Sequence, residues 1–74
     1  MDYLATFHTH YGAVRFHKYC QKNGISAKMQ PVPREVSASC GTCVSFKSQL
    51  PPEISEHEDM ERCYAVKEGA YVNL

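Results

Sequence analysis

Residues 3–24 read YLATFHTHYGAVRFHKYCQKNG and predict a β-strand followed directly by an α-helix. From Tyr3 to His8 both alternating sets of side chains are largely apolar, which is typical of a central strand in a sheet. Thr9 is a candidate N-cap, because its hydroxyl can accept a hydrogen bond from an N–H of the first helical turn. Gly24 predicts the end of the helix, since glycine adopts a left-handed backbone at little cost. The helix has one apolar stripe, formed by Ala13, Phe16 and Cys20.

Outside this segment, alternation and turn residues predict four more strands and one more helix. We expect strands at residues 25–31, 42–48 and 62–66, an acidic helix from residue 51 to about residue 60, and a last strand at residues 71–74 after a turn at residues 67–69. The resulting order is β-α-β-β-α-β with an extra C-terminal strand. This order predicts a single α+β domain over residues 1–74, a two-layer α/β sandwich of the ferredoxin-like type.

Composition excludes several classes of function. Eight basic and eight acidic residues give a formal net charge of zero, whereas domains that bind nucleic acid usually carry a basic excess. No apolar run approaches the roughly 20 residues that span a bilayer, and the first residues lack the pattern of a signal peptide. We therefore expect a cytoplasmic protein with no membrane or nucleic-acid partner. In that compartment its four cysteines are expected to be reduced thiols.

The most distinctive segment is PVPREVSASCG at residues 31–41, which ends in a cysteine beside a glycine. Small neighbours leave the thiol of Cys40 accessible, and Gly41 would let the backbone turn so that N–H groups converge on the sulfur. Such an environment favours the reactive thiolate, and Arg34 would add positive potential if the loop folds back. The alternative is that Cys40 is a small buried core residue, as free cysteines often are.

This segment resembles the signature of a small bacterial family described as Se/S carrier protein-like, as do the first strand, the helix and Gly24-Ile25. The resemblance covers residues 2–66. It implies a ferredoxin-like α/β fold and a carrier thiol at Cys40, supported by Gly41 and by a loop scaffold of Pro33, Arg34 and Glu35. The thiol would hold sulfur or selenium and pass it between donor and acceptor enzymes, so that the protein acts as a carrier rather than as an enzyme.

Cys43 departs from the pattern of that family, which usually has an aliphatic residue there, and it creates a C-x-x-C with Cys40. One interpretation is a dithiol–disulfide redox pair. A second is that Cys43 resolves a persulfide on Cys40. A third adds His8 and His10 as ligands of a tetrahedral zinc ion.

Two hypotheses follow. The first is a sulfur or selenium carrier that acts through Cys40, with Gly41, Arg34 and Cys43 in supporting roles and with no cofactor. The alternative is a small zinc-binding or oligomeric interaction domain, in which Cys40 and Cys43 act with the two histidines.

Overall fold

A computed structural model describes residues 1–49 and 59–74, which form one α-helix and five β-strands. The elements are β1 (Asp2–Phe7), α1 (His10–Lys22), β2 (Ala27–Pro31), β3 (Thr42–Lys47), β4 (Met60–Lys67) and β5 (Ala70–Asn73). The strands form one sheet in the order β2-β3-β1-β4-β5, and every neighbouring pair is antiparallel. The predicted α+β class is therefore confirmed.

Strand β1 is central because its side chains are buried on both faces of the sheet. Tyr3, Ala5 and Phe7 point toward α1, as the alternation predicts. The ring of Phe16 on the helix lies 5.4 Å from that of Phe7 and 5.1 Å from that of Phe46, measured between centroids. Tilted and edge-on pairs of this kind add to the free energy gained from burial of the rings. They fix the helix on this face of the sheet.

The opposite face of the sheet has a second, smaller apolar cluster. It consists of Leu4, Val36, Cys43 and Tyr64. Val36 belongs to the loop between β2 and β3, residues 32–41, and is only 6% exposed. This loop therefore covers one end of the face that the helix leaves open.

Both predicted helix ends are confirmed. The Thr9 hydroxyl accepts a hydrogen bond from the Gly12 N–H over 3.1 Å, and Gly24 has a φ of 69° just beyond the last turn. The Asp59 carboxylate adds to the N-terminal cap, because it accepts hydrogen bonds from the Thr9 hydroxyl and from the Thr9 N–H. This contact joins the start of α1 to the residue that precedes β4.

The register between β1 and β4 contains a β-bulge. Thr6 pairs with Arg62, and Phe7 pairs with Met60, so Glu61 is opposite no residue of β1. A bulge shifts the alternation of a strand by one residue and redirects the side chain at the extra position. Met60 can therefore point into the core beneath α1 although it is three residues from Cys63, which points the same way.

Several predicted boundaries differ from the structure. Strand β2 begins at Ala27 rather than Ile25, because the Ile25 N–H donates to the Cys20 carbonyl and still belongs to the helix terminus. The acidic helix was expected at residues that lie mostly outside those described, and its expected end at Met60 is wrong, since Met60 begins β4. The ferredoxin-like arrangement, which needs that helix, stays a prediction. No helix of the described residues combines the length and the apolar character needed to cross a membrane.

Candidate functional site

The loop of residues 32–41 is held closed at its base. The Val32 N–H donates to the Gly41 carbonyl over 3.1 Å, where the two flanking strands begin to pair. A turn inside the loop is closed by the Val36 N–H, which donates to the Pro33 carbonyl over 3.1 Å. Since Val36 is also inserted into the apolar cluster on the sheet, the loop has a fixed base and a fixed midpoint. Cys40 lies in the return half of this loop.

Cys40 is the accessible thiol of this protein. All four cysteines lie within the described residues, all four are free, and three of them are fully buried while Cys40 is half-buried. Burial raises the pKa of Cys20, Cys43 and Cys63 to about 11, because the thiolate would lose its hydration. These three are protonated at neutral pH and unreactive. The predicted alternative of a fully buried Cys40 is wrong.

Glu61 binds the residue that precedes Cys40. Its carboxylate accepts a hydrogen bond from the Ser39 N–H over 2.9 Å and another from the Ser39 hydroxyl over 2.7 Å. The hydrogen bond from the Ser39 N–H has the largest effect and that from the Ser39 hydroxyl the next, and both lower the pKa of Glu61. The nearby His8 and Arg62 also lower it. Glu61 is therefore ionised at neutral pH, and the hydrogen bonds it accepts are of the stronger, charge-assisted kind.

The two histidines of the His-x-His motif lie at the same end of the sheet as Cys40. His8 Nδ1 is 3.7 Å from the Glu61 carboxylate, and His10 Nδ1 lies 3.2 Å from the Thr42 hydroxyl, so each contacts a residue beside the loop. However, the described residues contain no group of three or more His, Cys, Asp or Glu side chains placed to hold a metal ion. A zinc ion bound by His8, His10, Cys40 and Cys43 stays a prediction.

Cys43 lies in β3, under the loop rather than in it. Its thiol is 3.5 Å from the Gln30 carbonyl and 3.6 Å from the Pro31 carbonyl, and it donates a weak hydrogen bond to these oxygens. Strand alternation places it in the apolar cluster with Val36. The two cysteines of the C-x-x-C thus differ in burial, although they are separated by only two residues.

Gly41 and Arg34, the two supporting residues expected near Cys40, both lie in the loop of residues 32–41. Gly41 does not have a positive φ, and a Cβ added there would meet nothing within 4 Å, so the fold does not require glycine at this position. The expectation that Gly41 lets the backbone turn so that N–H groups converge on the Cys40 sulfur stays a prediction. Arg34 is exposed in the turn that Val36 closes, and among the described residues it forms no ion pair.

Sequence reasoning missed Ser39 and Glu61 as parts of the site. Their contact spans 22 positions and exists only because the sheet order brings β4 beside the loop. One signal was available, because the apolar positions Met60 and Cys63 are out of phase for a regular strand. Such a break in alternation indicates a bulge, and bulges often lie beside functional sites.

One groove on the sheet lies away from the thiol. A shallow groove of about 360 Å³ is lined by residues of β1, β2, β3, β4 and β5, including Leu4, Lys28 and Tyr71, and by no residue of the loop of residues 32–41. Cys40 therefore lies outside this groove.

Comparison with known proteins identifies the family. Neither the curated proteins nor the solved structures include a match to this chain. Residues 2–62 match the family described as "Putative Se/S carrier protein-like", and this range contains the whole of the loop and Glu61. The match covers most of the sequence, and the chain therefore belongs to that Se/S carrier protein-like family.

Proposed function

We propose that this protein is a carrier of sulfur or selenium and that the chalcogen is held on the thiol of Cys40. The observation that carries the proposal is the difference among the four cysteines. Three are buried with pKa values raised to about 11, while Cys40 is half-buried in a loop that two strands hold in place. Family membership supports the same function.

The proposed reaction is thiol exchange and needs no cofactor or external oxidant. The Cys40 thiolate attacks the outer sulfur of a donor persulfide, R–S–SH. A new S–S bond forms on Cys40, the S–S bond of the donor breaks, and R–S⁻ leaves and takes up the proton. In the second step an acceptor thiolate attacks the outer sulfur of Cys40–S–SH, and the Cys40 thiolate is released. A perselenide donor, R–S–SeH, would react in the same way.

The partners in this proposal are a donor enzyme and an acceptor enzyme in the cytoplasm. The loop that carries Cys40 lies outside the groove on the sheet, which supports a carrier whose chemistry takes place in the active sites of its partners. The zero net charge supports protein partners over nucleic acid.

The geometry of Cys43 supports a structural role rather than a resolving one. A resolving thiol must ionise and attack the inner sulfur of the persulfide, Cys40 Sγ, so that a Cys40–Cys43 disulfide forms and HS⁻ leaves. The Cys43 thiol is instead buried and donates to carbonyls of β2. We therefore propose that a persulfide on Cys40 survives in the free protein until an acceptor arrives.

Intact mass spectrometry tests the proposal. The reduced protein is incubated with a cysteine desulfurase and cysteine, and we expect a mass increase of one sulfur atom. The increase should disappear in Cys40→Ser and remain in Cys63→Ser, which removes a buried thiol as a matched control. A wild-type protein that gains no sulfur would rule out the carrier function.

A Cys43→Ala variant tests the role of the second cysteine. If Cys43 is structural, the sulfur on Cys40 is lost at the wild-type rate after the donor is removed. If Cys43 resolves the persulfide, the variant keeps its sulfur longer than the wild type, and our proposal for Cys43 is wrong.

A further inference from the structure

We propose that Glu61 is a positioning residue for Cys40: by holding both the backbone N–H and the hydroxyl of Ser39, its carboxylate fixes the peptide that presents the thiol to a protein donor or acceptor. This inference rests on the proposed function of Cys40 and adds to it a residue on a different strand.

The first argument is the geometry of the two hydrogen bonds. The carboxylate accepts with both oxygens, over 2.9 Å from the N–H and 2.7 Å from the hydroxyl of the same residue. A two-point contact restricts both the position and the orientation of Ser39, which a single bond would not do. Ser39 is directly bonded to Cys40, so the restriction extends to the backbone of the thiol residue.

The second argument is the bulge in β4. Without it, Glu61 would pair with a residue of β1 and its side chain would follow the regular alternation of the strand. Because Thr6 pairs with Arg62 and Phe7 with Met60, Glu61 is the extra residue, and its side chain is free to be aimed at the loop. The irregularity in the sheet and the contact with Ser39 therefore occur at the same residue.

The third argument is that the other contacts described above fix the loop only at its base and at its midpoint. The base of the loop is held by Val32 and Gly41, and its midpoint by Val36, but the return half that contains Cys40 has no buried apolar side chain among residues 37–41. Glu61 supplies the fixed point in this half. A protein partner needs a thiol in one defined place, because reaction between two proteins requires both docking surfaces and reacting atoms to align.

Two rates measured on the same variants test the inference. The first is loading by a cysteine desulfurase, a protein donor that needs a positioned thiol. The second is alkylation by iodoacetamide, a small reagent that needs only an exposed thiol. We expect Glu61→Ala to lower the loading rate at least about tenfold, because the loss of even one of its two charge-assisted hydrogen bonds corresponds to about that change. The same variant should raise the alkylation rate. A lower loading rate together with a higher alkylation rate distinguishes a loss of positioning from a general loss of reactivity of the Cys40 thiol.

Two variants serve as matched comparisons. Glu61→Gln retains an oxygen to accept from the Ser39 N–H and an amide to donate to the Ser39 hydroxyl, so it should load within about twofold of the wild type. Glu68→Ala removes an exposed carboxylate from the turn after β4, at the opposite end of that strand from Glu61. Glu68 forms no ion pair among the described residues, and this variant should change neither rate.

The three buried thiols report whether each variant is folded. A folded variant takes up one alkyl group, while an unfolded one takes up as many as four. Uptake of more than one group by Glu61→Ala would mean that Glu61 supports the fold as a whole, and the positioning role would be wrong. If Glu61→Ala takes up one alkyl group but is loaded and alkylated at the wild-type rates, the positioning role is also wrong.

A separate measurement distinguishes failure of this inference from failure of the proposed function. If the wild type does not load, the carrier function fails, but the contact can still be tested by amide hydrogen exchange at Ser39. We expect exchange at this amide to be at least tenfold faster in Glu61→Ala and close to wild type in Glu61→Gln. Equal protection in all three proteins would refute the contact itself.

Discussion

Replacement of Gly12 by alanine should destabilise this protein, although the same change in most helices is stabilising. In a helix interior alanine is favoured over glycine by about 1 kcal/mol. At Gly12, however, an added Cβ would lie 2.6 Å from both Cβ and Cγ of Asp59 and closer still to one of its carboxylate oxygens. A Cβ atom essentially never lies within 3 Å of a non-bonded heavy atom, so Asp59 would have to move.

The size of the effect follows from what Asp59 would lose. Its carboxylate accepts from the Thr9 hydroxyl and from the Thr9 N–H over 3.2 Å. Loss of hydrogen bonds to a charged acceptor, less the gain in helix propensity, gives a net decrease of about 2 kcal/mol in the free energy of unfolding. For a domain of this size, that corresponds to a fall in Tm of roughly 10 °C.

Urea unfolding of single and double variants provides the assay. Gly41→Ala is the control, because a Cβ there would meet nothing within 4 Å, and it should change stability by less than about 0.5 kcal/mol. In an Asp59→Gly background the obstructing side chain is gone, so Gly12→Ala should become stabilising by about 0.5–1 kcal/mol. A Gly12→Ala single variant as stable as the wild type would refute the close approach of Asp59 to the helix.

Three further predictions concern the thiols and the loop. The buried thiols keep their protons to about pH 11 when folded, whereas unfolded thiols titrate near 9.0, so stability should fall as pH rises through this interval. At about pH 10 the loss is roughly 1.4 kcal/mol per thiol, and a flat urea-unfolding profile between about pH 8 and 10 would contradict it. In the folded protein the pKa of Glu61 lies below its ordinary value of 4.5. The ionised Glu61 therefore stabilises the fold above about pH 4.5, and this stabilisation is lost as the pH falls through the lowered pKa. In Glu61→Gln the free energy of unfolding should fall less steeply at acid pH than in the wild type. Identical pH profiles of stability for the two proteins would count against a lowered pKa of Glu61. Val36→Ala should cost roughly 1.6 kcal/mol in unfolding free energy and allow slow alkylation of Cys43, and mass mapping that finds Cys43 fully protected would show that Val36 does not cover it.

The elements that sequence reasoning located are those with a local physical cause. Strands β1 and β3 were predicted because their side chains alternate between two faces, and the helix because Thr9 and Gly24 provide chemistry specific to its two ends. The hairpin after β4 has the same kind of cause, since Glu68 and Gly69 both adopt a positive φ in a two-residue turn. Each of these features depends on residues within a few positions of one another.

The features that sequence reasoning missed depend on contacts between distant segments. The partnership of Ser39 with Glu61 requires β4 to lie beside β1, which no local pattern specifies. The C-x-x-C spacing is the same whether its second cysteine is exposed at a helix start or buried in a strand. Only the covering of β3 by Val36 shows that Cys43 is enclosed.

The separation of one accessible thiol from three enclosed ones has a consequence for the order of events in the cell. Before the chain folds, all four sulfurs are open to the same oxidants and donors, and nothing in the local sequence prevents a wrong attachment. Folding removes three of these competitors at once, because the same apolar packing that stabilises the sheet encloses them. Selectivity for a single sulfur is thus a property of the finished fold, and we expect correct loading to occur only after folding is complete.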